Sequence, residues 1–138
     1  MKIALLNDTH FSARNFNRTI ANNQLEFFEN QFFPYLKDNN ITEIIHLGDI
    51  CDNRDKLDIK MIDTFKKRFF DVLHEMGVKL TIIIGNHDIT YRHSNTINSP
   101  QAVLREYDNI AIIPEAEDIE IGGVKICCIP WVNNENVE

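Results

Sequence analysis

The sequence predicts an α/β domain with a mixed, largely parallel sheet flanked by helices. Three apolar runs carry this prediction, each ending in a short polar motif. Ile3-Ala4-Leu5-Leu6 leads into Asp8-Thr9-His10, and Ile44-Ile45-His46-Leu47 leads into Gly48-Asp49-Ile50-Cys51-Asp52. Leu80-Thr81-Ile82-Ile83-Ile84 leads into Gly85-Asn86-His87-Asp88. Segments with apolar residues at helical spacing separate the runs, and a strand–helix–strand crossover makes its two strands parallel. All three motifs then fall at the carboxyl edge of one sheet, where open α/β folds keep their sites.

Each element has its own signal. Residues 2–7 read as a first buried strand. After a polar stretch with Arg14 and Arg18, a helix over about 19–38 places Leu25, Phe28, Phe32 and Leu36 on one face. Pro34 should kink or restart that helix, because proline lacks an amide donor and clashes with the preceding turn. A second strand covers about 42–47. The helix over about 58–76 carries Ile62, Phe65, Phe69, Val72 or Leu73, and Met76, and Gly77 closes it. The third strand spans about 78–84 and opens into a polar loop. Ser99-Pro100 then supplies a cap residue and a proline for a short helix reaching about Tyr107. A strand near 110–113 precedes a hairpin in which Ile119 and Ile121 alternate into Gly122-Gly123 and out through Val124 and Ile126.

At 138 residues the chain is long enough for one domain with its own core. No stretch approaches the ~18 apolar residues of a membrane span, and the N-terminal apolar run breaks at Asn7-Asp8, which makes a poor secretory leader. Three cysteines are a poor disulfide framework, and the neighbours Cys127 and Cys128 would point to opposite faces of a strand. The expected compartment is the cytoplasm. Cys51 is expected to fill a small buried slot rather than to act as a soft ligand. A formal charge of −7 means that the surface as a whole repels nucleic acid, so a polyanionic substrate needs metals and a local basic patch. Lys66-Lys67-Arg68 is the densest basic run and is expected to be a solvated helix face.

The motifs carry oxygen and nitrogen donors that suit hard or borderline divalent metals. Asp8, Asp49 and Asn86 recur at intervals of about forty residues, one strand–helix–strand unit each. Gly48 and Gly85 precede the second and third sites, where the backbone must turn sharply or approach closely. Asp8 and His10 are expected to serve one metal, Asp49 to bridge to a second, and Asn86 to give that second ion an amide oxygen. His87, next to a ligand, is placed to protonate a leaving oxygen as general acid. Asp52 and Asp88 are read as carboxylates that orient the ligands. Arg54, Tyr91 and Arg92 are candidate substrate contacts. His46 reads as a packed core histidine, and His74 as surface or interface.

In order and spacing, Asp8-x-His10, Gly48-Asp49-x-x-Asp52 and Gly85-Asn86-His87-Asp88 resemble the signature of the calcineurin-like metallophosphoesterases. The Gly48–Arg54 run, the Gly85–Tyr91 run and Ile129-Pro130-Trp131 after the Gly-Gly hairpin are similar to SbcD-type recombination and repair nucleases, particularly their bacteriophage members. This resemblance implies a metallophosphoesterase-type fold and a centre of two divalent ions, usually Mn2+, with Mg2+, Fe or Zn2+ as alternatives. It implies hydrolysis of DNA phosphodiesters by an exo- or endonuclease subunit, with Asp8, His10, Asp49 and Asn86 as ligands and His87 as the catalytic histidine. It further implies a homodimer, an SMC-like ATPase partner, no membrane, and the host cytoplasm for a phage-encoded chain.

The family pattern also needs later histidine motifs, which residues 1–138 do not contain. The chain therefore reads as the N-terminal part of the domain, with the second sheet of its sandwich incomplete, some apolar sheet surface exposed, and little activity alone. The alternatives are a small phosphodiesterase or phosphatase of the same family, or a non-catalytic interaction module on the same scaffold. Asp88 and Asp52-Asn53-Arg54 disfavour a protein phosphatase, which would carry Glu after Asn-His and Asp-Arg-Gly after the second motif.

Overall fold

In the computed structural model, which describes residues 1–54 and 56–137, four strands form one parallel sheet. They are β1 (Ala4–Leu6), β2 (Glu43–His46), β3 (Lys79–Ile83) and β4 (Ile110–Ile113), in the order β1-β2-β3-β4. Leu5 pairs with Ile45, Ile45 with Thr81, and Thr81 with Ala111. The strand that leads into Asp49, β2, therefore lies between the strands that lead into the other two motifs. The antiparallel hairpin of β5 (Glu117–Ile121) and β6 (Val124–Cys128) forms a separate two-stranded sheet.

Side chains alternate across the parallel strands and feed two cores. Ile44, Leu80 and Ile82 face the helices, joined there by Leu25, Phe28, Leu36, Phe65, Phe69 and Leu73. Ile45, Ile83 and Ile113 face the other way, against Ile121 and Cys128 of the hairpin. The hairpin covers only part of that second face. Leu5 and Leu47, beside the Ile45 position, stay exposed, as do Ile129 and Trp131 just after β6.

Both long helices depart from simple periodicity. After a distorted single turn, α1 (Ala13–Phe16), the first runs as α2 (Arg18–Phe27), a π-helical turn at Phe28–Phe32, and α3 (Phe33–Asp38). The wide turn sits immediately before Pro34, where a missing amide donor would otherwise interrupt the helix. The second runs as α4 (Ile59–Phe65), a π turn at Lys66–Phe70, and α5 (Asp71–Glu75), with the Asp71 amide reaching back to the Lys66 carbonyl. The extra residue per turn lets both Phe69 and Phe70 face the core. The buried stripe is therefore Met61, Phe65, Phe69, Phe70 and Leu73, while Ile62, Val72 and Met76 are only partly covered. The last helix, α6 (Ser99–Leu104), is capped by Asn98 rather than Ser99: the Asn98 side chain accepts the Gln101 amide at 2.9 Å.

The basic run is not simply solvated. Lys66 pairs with Glu106 at 2.9 Å, Lys67 with Asp63 at 2.8 Å, and Arg68 clasps both oxygens of Glu29 at 2.7 and 2.8 Å. The guanidinium holds Glu29 below the usual carboxylate range. His74 is exposed and lies 3.1 Å from Asp108. Cys51 is buried as expected, and burial pushes its thiol up to about 12. Among the described residues, no helix is long and apolar enough to cross a membrane.

His46 is the core histidine that its position in the strand suggests. It is fully buried, and desolvation lowers its pKa from 6.5 to about 4. Below pH 6.5 the unfolded chain takes up a proton that the folded chain refuses, so stability is complete above that pH and falls on acidification. From pH 7 to pH 5 this one group should lower unfolding free energy by about 2 kcal/mol. Urea denaturation at the two pH values, in wild type and in His46→Gln, checks it: the variant should show a shallower loss.

Candidate metal centre

The loops after β1 and β2 continue the parallel ladder beyond the strands. The Asp8 amide donates to the Gly48 carbonyl at 3.2 Å, His10 to Asp49 at 3.0 Å, and Phe11 to Ile50 at 2.6 Å. Phe11 anchors the first loop. Its buried ring stacks on Phe65 at 4.1 Å between centroids and meets the edges of Phe69 and Phe28. Asp8, His10 and Asp49 all take left-handed backbone, with φ of 50, 42 and 57°. Non-glycine residues rarely adopt such angles, and the neighbouring structure must enforce them.

The loops after β2 and β3 meet through their glycines. A Cβ on Gly48 would lie 2.7 Å from the Gly85 Cα, and one on Gly85 would lie 2.5 Å from the Asp49 amide nitrogen and overlap the Asp49 carboxylate. Both glycines are thus set by close backbone approach, as the sequence suggests. Asp88 locks the contact. One of its oxygens accepts the amides of Asp49 and Gly85 at 2.8 and 2.9 Å, and the other accepts those of Ile50 and Cys51 at 2.9 and 3.3 Å. Burial raises its pKa, and the amides of Gly85, Cys51 and Asp49 pull it back.

At the resulting corner, Asp8, His10 and Asp49 each present one ligand atom, all within 4.8 Å of one another. A second group, His10, Asp52 and His87, meets the same criterion. The two groups share His10, whose Nε2 lies 3.4 Å from Asp8 and whose Nδ1 lies 3.3 Å from Asp52. That Nδ1 is buried yet makes no well-directed hydrogen bond. Asp49 accepts the His87 backbone amide at 2.8 Å, and the ring Nδ1 of His87 lies 3.0 Å from the Asp52 carbonyl. The carbonyl can only accept, so Nδ1 carries the proton and Nε2 keeps its lone pair. The rings of His10 and His87 meet edge-on at 5.0 Å. In the orientation that satisfies both ends of its amide, Asn86 donates to Asp49 Oδ2 at 3.0 Å and accepts from Arg54 at 3.3 Å.

The chemistry of this donor set fits divalent cations. Among the described residues, no lysine or arginine forms an ion pair with Asp8, Asp49 or Asp52, and Arg54 is held one side chain away, on Asn86. Two imidazoles complete an oxygen–nitrogen set suited to manganese, iron or zinc. The structure thus brings together Asp8, His10, Asp49, Asn86 and His87, with Asp52 and Asp88 behind them. Asp52 stands closer than an orienting role requires and could itself contribute an oxygen. Arg54 touches Asn86, whereas Tyr91 and Arg92 are exposed on the loop after the third motif. Cys51 belongs to neither donor group. Sequence reasoning missed Phe11 and Thr9, both buried beside the ligands, although their positions flanking His10 were a usable signal.

This corner of three strand-end loops defines a class of protein. The chain belongs to the calcineurin-like phosphoesterases, whose family model matches residues 1–133. It is similar to exonuclease subunit 1 of Enterobacteria phage T4, with 31% identity over 136 residues, covering 99% of this chain. The chain spans 40% of the length of that relative.

The glycine contact generates a test. Gly85→Ala should drive Asp49 out of position, lowering stability by about 1–3 kcal/mol and reducing Mn2+ affinity. Urea denaturation and calorimetric Mn2+ titration of the same variant would read both effects.

Proposed function

We propose that this chain is the metal-binding part of a metal-dependent phosphodiesterase, a DNA exo- or endonuclease subunit of a recombination-repair assembly. The observation that carries the proposal is the convergence of Asp8, His10 and Asp49 within 4.8 Å, beneath a His87 ring backed by the Asp52 carbonyl. Asp8 and His10 would hold one divalent ion, Asp49 would bridge, and Asn86 would serve the second with its amide turned so that the oxygen, not the nitrogen, faces Asp49 Oδ2. Manganese is the metal we favour. Bound there, such a pair would supply an activated water and neutralise charge on the phosphoryl oxygens.

The remaining roles belong to the protein. His87 keeps its Nδ1 proton on the Asp52 carbonyl, so Nε2 is the ring atom that would take up a second proton from solvent and, from the imidazolium, give it to the leaving oxygen. Asp88 and Asp52 hold the ligand loops. Arg54 lies beside the Asn86 amide and would be a contact for a bound phosphate. The relative named an exonuclease subunit supports a DNA substrate and an assembly, for which an SMC-like ATPase and a second copy of the chain are the proposed partners. Its phage origin supports the host cytoplasm as the place of action.

Ion pairing directs attention to where DNA would lie. Lys66, Lys67 and Arg68 are occupied by acids, but Arg18 and Lys60 line a groove of about 470 Å³ together with Asn15, Asn22, Thr64 and one acid, Asp58, whose carboxylate caps the Met61 amide. Among the described residues, no acid pairs with either cation. This groove lies where the first and second motif loops enter their helices.

Two experiments test the proposal. Calorimetric titration should show Mn2+ binding that Asp49→Ala weakens by at least tenfold, with little nuclease activity from the 138-residue chain alone. Robust Mn2+-dependent nuclease activity in this chain would show that its ligand set is sufficient, whereas wild-type Mn2+ affinity in Asp49→Ala would remove the metal centre. For the groove, the double change Arg18→Glu and Lys60→Glu should lower oligonucleotide affinity and flatten its salt dependence by about two phosphate contacts, while Lys67→Glu should change little.

A further inference from the structure

We propose that Thr9 and His46 are positioning residues for the metal ligands, acting through a buried hydrogen-bond relay that holds the Asp8–His10 loop against the loop after β2. The inference rests on the metal-centre reading for its purpose and on the geometry alone for its existence. Thr9 lies between two candidate ligands, both in left-handed backbone, yet its own side chain points into the protein and is buried. His46 sits fully buried at the end of β2.

The relay runs in one direction. The Gly48 amide donates to His46 Nδ1 at 3.2 Å, which makes Nδ1 the acceptor and places the single ring proton on Nε2. Nε2 lies 3.0 Å from Thr9 Oγ1, so it donates there. The Thr9 hydroxyl then donates to the Ile50 carbonyl at 3.3 Å. The Thr9 carbonyl is held as well, by the side-chain amide of Gln24. Every side-chain polar atom of the relay has a partner of the right sense, so this network is satisfied and resists rearrangement.

An apolar side chain at position 46 would fill the same space without desolvating an imidazole, so packing alone does not account for a histidine here. What the histidine adds is a directed link between the backbone just before Asp49 and the residue between Asp8 and His10. The relay thus ties one ligand loop to the next from beneath, while leaving the ligand side chains free to face outward. Hydrogen-bonded supports of this kind govern how tightly a centre holds its metal.

The test compares Thr9→Val, which removes the hydroxyl at nearly constant shape, with Thr9→Ser, which keeps it, and with His46→Phe. Two readouts are taken on the 138-residue chain: Mn2+ affinity from the electron paramagnetic resonance of free Mn2+, and amide hydrogen exchange. Thr9→Val should lose about tenfold or more in Mn2+ affinity. The amides of His10 and Phe11 should exchange at least tenfold faster, with those of Leu80 and Ile82 unchanged. Thr9→Ser should restore both. Wild-type affinity and exchange in Thr9→Val would overturn the proposal. So would acceleration spread evenly over the β3 amides, because that reports a general loss of stability. If the wild-type chain binds no Mn2+, the metal-centre reading fails and the exchange pattern alone decides the relay. Should His46→Phe not fold, the two Thr9 variants still decide it.

Discussion

A single buried carboxylate holds the metal corner together. Asp88 takes four backbone amides from two loops, three from the stretch Asp49–Cys51 and one from Gly85. These donors come from chain segments about thirty-five residues apart, so the carboxylate acts as a non-covalent cross-link between the ends of β2 and β3. Asp49 and His87 are set by this clamp even though neither side chain touches Asp88. Burial works against the charged form, and the convergence of N–H groups is what keeps the carboxylate serviceable there.

The clamp is only as good as the approach it closes, and that approach depends on the glycines and on the rigidity of the sheet. Gly48 and Gly85 let two backbones touch. The parallel ladder supplies fixed strand ends from which the loops depart. Phe11 extends this rigidity to the first loop by packing into the same aromatic cluster as Phe28, Phe65 and Phe69. The π turns belong to the same economy of space, since the one in the second helix lets two consecutive phenylalanines face the sheet. Strained φ values at Asp8, His10 and Asp49 are tolerated because core packing and backbone ladders surround each of them.

Much of this was legible in the sequence because strand-end motifs are local. Asp8-x-His10, Gly48-Asp49 and Gly85-Asn86-His87 each announce themselves beside an apolar run, and parallel topology then brings them to one edge. The strand at 110–113 and the Gly122-Gly123 hairpin were equally local. What stayed hidden is tertiary. Nothing near Thr9 shows that its hydroxyl meets a histidine 37 positions away. The periodicity around Phe69 misses the extra residue of a π turn, because a 3.6-residue pattern cannot place two consecutive phenylalanines, Phe69 and Phe70, in the core. Asn98 outcompeted Ser99 as a cap because its side chain also reaches Asn95 and Gln101, contacts that depend on how the preceding loop folds back. The ion pairs of Lys66 and Arg68 were likewise invisible, since Glu106 and Glu29 lie on other elements.

The distribution of charge has a mechanistic consequence. The chain carries a net charge of −7, and its densest basic run is spent on structural ion pairs. At the corner itself, Asp8, Asp49 and Asp52 converge with no lysine or arginine pairing with them among the described residues. A polyanion approaching the metal-free corner meets carboxylates, and repulsion opposes its entry. Divalent cations would reverse the sign of the field at the same atoms that bind them. In the proposed nuclease, metal loading and substrate capture are therefore coupled: the ions that activate the chemistry also admit the strand, and a groove such as that of Arg18 and Lys60 can only add to an attraction the metals have made favourable.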